Sequence, residues 1–316
     1  MNAFLTRKRA ITIGIVVVFV AAFLALGLVS HSASSPPKLQ TTSASGAQLP
    51  YAAWYWTMVV SPTNPNELLV GTNMGVDRSL NGGKTWKSVG LTTVNVTSLA
   101  QVGSSVFAGG VPGANPVIHN TAGRTAPNGV GTLSVSTNEG TTWKPVQAAG
   151  LPKNTIQALA ADPAGDLYAL LNTGGLYKST DGAKSFTLVT AKLGISPWAL
   201  AVTNHQQFVS GDMDGGPHTS SNAKAWTRTA YTDNAGGKMV MEYAVQPSDT
   251  AHVLMTSIGI VASTDGGKSW HTTLNSKVMF GPVAYAPKSP QVAYAVGFDR
   301  SIWRSDDGGQ TWKQVL

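Results

Sequence analysis

The chain has 316 residues, 12 % of them charged, with 22 Lys and Arg against 15 Asp and Glu for a formal net charge of +7, 34 Gly, 17 Pro and no Cys. The absence of cysteine excludes disulfide staples, thiol chemistry and a lipidated-cysteine anchor. The positive balance is too mild and dispersed for a nucleic-acid binder, and the Gly- and Pro-rich, charge-poor profile is that of a turn-rich all-β protein.

The first element is apolar. Ile11 to Val29 is a run of 19 uncharged residues behind Arg7, Lys8 and Arg9, long enough to span a bilayer with the basic residues inside. This predicts a cytoplasmic tail over residues 1–10, a transmembrane anchor over 11–29 and an extracytoplasmic remainder. A cleaved signal peptide is the alternative, because Ala25 to Gly27 offers small residues at the right relative positions. Residues 30–48 are rich in Ser, Thr, Ala and Pro with little to bury, the composition of a flexible stalk. A folded domain is expected over 49–316.

From there the sequence repeats. "SLNGGKTW" ends at Trp86, "STNEGTTW" at Trp143, "STDGAKSF" at Phe186, "STDGGKSW" at Trp270 and "SDDGGQTW" at Trp312, with a worn copy, "SSNAKAW", ending at Trp226. The terminal aromatics are 57, 43, 40, 44 and 42 residues apart, the period of β-propeller blades. Each copy follows two strand-like runs and an earlier apolar run near a Pro, so each unit reads as four strands with the box as the turn between the third and fourth.

The motif then has a turn mechanism. Asn81, Asn138, Asp181, Asp265 and Asp307, at its third position, accept hydrogen bonds from backbone N–H groups of their own turn, Gly at the fifth takes a positive φ, and the aromatic packs at the base of the following strand. An EF-hand is excluded by spacing: counted from Asp265, the sixth residue is Trp270 where that loop needs Gly. The repeat resembles the Asp-box, or BNR, family, from about Trp54 to the C-terminus. That resemblance implies a β-propeller, six-bladed with one blade per box, and leaves function open among sialidases and other glycosidases, sortilin-type receptors and photosystem II assembly factors.

Catalytic constellations are thin. The resemblance to sialidases would require an Arg-Ile-Pro motif and three clamping arginines, but no Arg-Ile-Pro occurs, and Glu242 and Tyr243 are strand neighbours that point to opposite faces. Asp212 and Asp214 near His218 read either as a small metal site or as a Gly-rich turn. The six histidines show no zinc spacing, and no Gly-x-Ser-x-Gly elbow is present. Tyr51, Trp54, Tyr55 and Trp56 read as an inner strand with its edge cover more readily than as a sugar-stacking platform. A long segment between "VFAGG" and "LSVS", containing His119, Asn120 and Arg124, has the length of a binding loop.

In a four-stranded antiparallel unit all the boxes share one rim. The opposite rim collects the turns between strands two and three and the crossovers: Asn73, the loop with His119 and Arg124, Asn172, Asp212, Asp214, Asp299, Arg300, Trp198, Asp233 and Glu242. Ligand binding is expected there, at His119, Arg124, Trp198, Asp212, Asp214, Glu242 and Arg300. The expected function is that of a membrane-tethered, non-catalytic module for an unknown protein or surface glycan, without cofactor, metal or nucleic acid. A glycoside hydrolase is the alternative.

Overall fold

The computed structural model describes residues 48–52, 54–113, 131–195, 197–203, 207–212 and 215–315. His119, Arg124 and Asp214 lie outside the described residues, as do the expected tail and anchor. Among the described residues every regular element is a strand, and no helix is long and apolar enough to cross a membrane.

Four antiparallel four-stranded sheets form in sequence order. The first holds β1 (Tyr55–Val60), β2 (Leu68–Thr72), β3 (Gly75–Ser79) and β4 (Lys87–Gly90), and the second β5 (Val94–Val102), β6 (Ser105–Pro112), β7 (Thr132–Ser136) and β8 (Lys144–Pro145). The third holds β9 (Ile156–Ala161), β10 (Leu167–Leu171), β11 (Leu176–Ser179) and β12 (Thr187–Thr190), and the fourth β13 (Ala199–Val202), β14 (Phe208–Asp212), β15 (Gly216–Ser220) and β16 (Thr227–Arg228).

The remaining strands make one six-stranded sheet: β17 (Glu242–Val245), β18 (Val253–Ser263), β19 (His271–Ala286), β20 (Ser289–Gly297), β21 (Ile302–Ser305) and β22 (Lys313–Gln314). Here the fold departs from one separate sheet per box. The 16-residue β19 pairs with β18 through His271, Thr272 and Leu274, and with β20 through Val283, Ala284 and Tyr285. "HTTLNSKVMFGPVAYA" contains no Pro before Pro282 and is rich in β-formers, so the crossover stays extended instead of breaking.

The innermost strands neighbour one another in the closed order β1, β5, β9, β13, β17, β19 and back to β1, giving an all-β propeller. Strands such as β2 ("LLVGT") and β10 ("LYALL") are apolar at nearly every position because adjacent sheets cover both of their faces. The outer β12 has two exposed and two half-buried residues.

The boxes are built alike. In the copy at 263–270, Ser263 Oγ donates to Asp265 Oδ1 (2.8 Å) and accepts from Gly267 N (2.8 Å), while Asp265 Oδ1 accepts from Ser269 N (2.9 Å) and Oδ2 from Ser269 Oγ (2.6 Å). The same pattern surrounds Asp181 and Asp307. With Asn81 and Asn138 the side-chain amide nitrogen donates to Thr85 and Thr142 instead. In the worn copy Asn222 keeps two turn bonds, from Lys224 N and Ala225 N.

The box aromatic stands immediately before the last strand of its unit, as Trp86 does before Lys87 and Trp312 before Lys313. It also reaches the preceding unit: Trp270 Nε1 donates to Thr229 Oγ1 (3.2 Å), Trp312 Nε1 to Thr273 Oγ1 (3.1 Å), and Trp143 packs against the cluster that holds Leu69 and Val76. A box therefore closes its own hairpin and clamps its unit to its neighbour.

Candidate functional site

On the rim opposite the boxes, β1 begins in a cluster of indoles. Trp54 and Trp56 lie two apart, the strand period that puts side chains on one face. Their rings stack at 4.9 Å with 6° between planes, and Phe298 meets Trp54 edge-on at 5.3 Å. A register shift between Tyr55 and Thr57 bends the strand there. Trp56 is buried and its Nε1 donates to Asn95 Oδ1 at 2.8 Å.

Trp198 enters from the opposite side of the ring, just before β13, and its ring centroid stands 6.0 Å from that of Trp56. Strands separated by three steps around the ring thus meet through their indoles above the central channel. The channel is a narrow cavity of about 180 Å³ lined by all six innermost strands, chiefly by Ala, Leu and Val, with Thr57, Gln101 and Glu242 as polar members. Glu242 is half-buried, its Oε1 accepting from Tyr243 N at 3.1 Å. Tyr243 turns the other way and donates to Ser210 O at 3.1 Å, as strand alternation requires.

Several residues expected on this rim make contacts within the fold. Arg300, an expected ligand residue, donates through Nε to the Leu49 carbonyl at 2.9 Å, holding the chain's own segment Gln48–Ala52. Asp233 Oδ1 accepts from Ala235 N and Gly237 N, Asp299 Oδ1 from Ser301, and Asn73 Oδ1 from Trp54 N. Asn172 N donates to Thr155 O. Asp212 closes β14 opposite Gly216. Among the described residues no group of three His, Cys, Asp or Glu side chains converges as a metal site.

The structure thus brings Trp198 and Glu242 to the channel and its mouth. It adds Trp54 and Trp56, expected as inner strand and edge cover, together with Asn95 and Phe298. The Trp-x-Trp alternation was the available signal for the first two. The Asn95 and Phe298 contacts join separate sheets, and no local pattern announces them.

On the box rim the electrostatics are of the opposite kind. The hydroxyl and amide of Ser185, with the hydroxyl of Ser179, pull Asp181 down to about 2. Burial pushes Asp265 up, but hydrogen bonds from Ser269 and Ser263 outweigh it and hold the carboxyl below its usual range. Carboxylates so engaged are turn acceptors and poor acids.

A family model described as BNR/Asp-box repeat matches residues 261–272 and 303–314. A probable oligoxyloglucan-reducing end-specific xyloglucanase from Neosartorya fischeri is 26 % identical over 272 residues, 82 % of this chain, which spans only 26 % of that protein. A structure of YCF48 bound to D1 peptide superposes with a TM-score of 0.51 at 19 % identity, covering 89 % of this chain and 86 % of that one. A GH74 xyloglucanase from Xanthomonas campestris gives 0.53 at 16 % identity, covering 87 % of this chain and 47 % of its own. At these identities the superpositions establish a shared fold.

Proposed function

We propose that this chain, a β-propeller of the BNR/Asp-box repeat family, is a six-bladed, membrane-tethered, extracytoplasmic binding module that receives a protein partner on the rim opposite its boxes and performs no catalysis. The six-stranded sheet is read as two blades sharing β19, one blade for each box, which agrees with six innermost strands around the channel. The tether is the apolar run of residues 11–29.

The observation that carries the reading is the channel mouth. Indoles from opposite sides of the ring close it, and among the described lining residues Glu242 is the one carboxylate. Glycoside hydrolysis ordinarily takes two carboxylates about the scissile bond. An aromatic cluster with a buried Trp56 at its base and half-buried Trp54, Trp198 and Phe298 around it, on a rigid scaffold, is instead the composition of a protein-binding hot spot. A propeller of this fold has been captured with a peptide, which supports a protein partner over a glycan.

Affinity capture from the native membrane tests this. The wild-type ectodomain should retain a discrete protein that Trp54→Ala and Trp198→Ala lose, while Asp265→Ala on the other rim retains it. Equal capture by all four proteins would overturn the reading. The likeness to a xyloglucanase favours a second reading, a glycan hydrolase using Glu242. Turnover of xyloglucan oligosaccharides or a glycoside panel that Glu242→Gln abolishes would establish it in place of the first.

A further inference from the structure

Among the described residues the ring is closed without an exchanged strand: β1–β4 come wholly from residues 55–90, and the sheet they meet ends at β22. This closing seam is filled by side chains, among them Tyr55, Val70, Trp86, Tyr294 and Ile302, and plugged by Leu49, which is 0 % exposed. The plug belongs to a docked segment, Gln48–Ala52. Arg300 Nε holds the Leu49 carbonyl (2.9 Å), and the Tyr55 hydroxyl donates to Pro50 O (2.8 Å) and accepts from Ala52 N (3.1 Å).

Asp77 faces the same seam. Its cross-strand neighbour Val70 is a seam residue, whereas Val76, next to it on β3, packs into the opposite cluster. Asp77 is 5 % exposed and has no hydrogen bond or ion pair among the described residues. The corresponding position two before each box serine is filled by Ser134, Tyr177, His218, Val261 and Trp303 in the other units, so an unpartnered carboxyl is peculiar to the seam unit. Its cross-strand neighbours Val70 and Ser88 carry no charge. Arg78 turns to the other face and pairs with Glu67 (2.5 Å) and Glu139 (3.7 Å). Tyr55 is the titratable group that feels Asp77, and it also feels Arg300. Burial alone pushes the Asp77 carboxyl up to about 7.

We propose that Asp77 is a latch control: with its carboxyl protonated the seam holds Gln48–Ala52 docked, and with the carboxyl ionised the segment releases and water enters the seam. Ionising a buried, unpaired carboxyl is disfavoured in the closed seam, and Tyr55, whose hydroxyl makes two of the three hydrogen bonds to Gln48–Ala52, lies within electrostatic reach of Asp77. The sign is that of a group raised on folding: the protonated form favours the docked state, and docking is lost as pH rises through the folded pKa. Under the tethered reading, release lengthens the link between membrane and propeller by up to roughly 17 Å.

Amide hydrogen exchange on the whole chain, corrected for intrinsic rates, tests the latch at pH 6 and pH 8.5. Residues 49–60 should exchange about tenfold faster at the higher pH in the wild type, with β9–β11 unchanged. Asp77→Asn should exchange equally at both, and so should Asp77→Ser, which installs the residue found at position 134. A flat wild-type profile, a pH dependence surviving in either variant, or equal acceleration of β9–β11 would each overturn the proposal. Loss of folding in one variant leaves the other to decide.

Discussion

A box carboxylate holds its turn by accepting from two hydroxyls and one or two amides at once, as Asp265 does from the hydroxyls of Ser263 and Ser269 and the amides of Lys268 and Ser269. Removing it leaves amides that water reaches, since Asp265 is exposed, so Asp265→Ala should lower unfolding free energy by about 1 kcal/mol in urea titration. The carboxylates at 181, 265 and 307 are all depressed. Their stabilisation is therefore present above the unfolded carboxyl pKa and is lost as pH falls through the folded values, about 2 for Asp181. Asp181→Asn, the arrangement already present at Asn81 and Asn138, should melt like the wild type at pH 7 and lose less between pH 4 and pH 2. The Asp77 change runs oppositely. Asp77→Asn should raise the melting temperature at pH 8 and leave it nearly unchanged at pH 4, because the buried acid is raised to about 7. Local chemistry of this kind is what sequence exposes well: the box roles were legible from spacing alone. Asp77 was not, because its burial depends on a sheet that arrives some 200 residues later.

At the scale of the element, the box's fifth residue does more than accept positive φ. A Cβ on Gly309 would stand 2.6 Å from Leu254 Cδ2, and one on Gly83 2.7 Å from Ile302 Cγ2, each in the preceding unit. Leu254 and Ile302 are wholly buried and have no room to swing aside. Gly309→Ala should therefore combine backbone strain with overpacking and cost about 3 kcal/mol. Gly182 also has a positive φ but open space around it, so Gly182→Ala should cost about 1 kcal/mol. Chemical denaturation of the two variants separates strain from clamping, and equal losses would remove the clamp. The four-strand unit could be read from apolar runs and turn residues. The merging of units through β19 could not, because whether a crossover bends or stays extended is settled by its neighbours.

For the whole molecule, the decisive feature is that, among the described residues, the chain runs from each sheet into the next around the ring but does not cross the seam between β1–β4 and β19–β22. That seam relies on packing and on a small polar clasp, in which Asn66 Oδ1 accepts from Arg304 Nη1 (2.8 Å) and Tyr294 Oη (3.3 Å). Ile302 and Leu170 are both 0 % exposed core residues, one in the seam and one beside the junction between β9–β12 and β13–β16 that residues 191–198 bridge. Truncating either to Ala should cost about 2–4 kcal/mol globally. The consequences for local opening should differ. With Leu170→Ala the chain still ties the two units, so amide exchange rises in proportion to the global loss. With Ile302→Ala nothing covalent opposes separation, and the amides of β1 and β19–β20 should exchange through a partial opening before the rest of the ring unfolds. Native-state hydrogen exchange at low denaturant distinguishes the two: Ile302→Ala should give a separate low-energy isotherm for the seam strands, and a single shared isotherm in both variants would mean that the ring opens only as a unit.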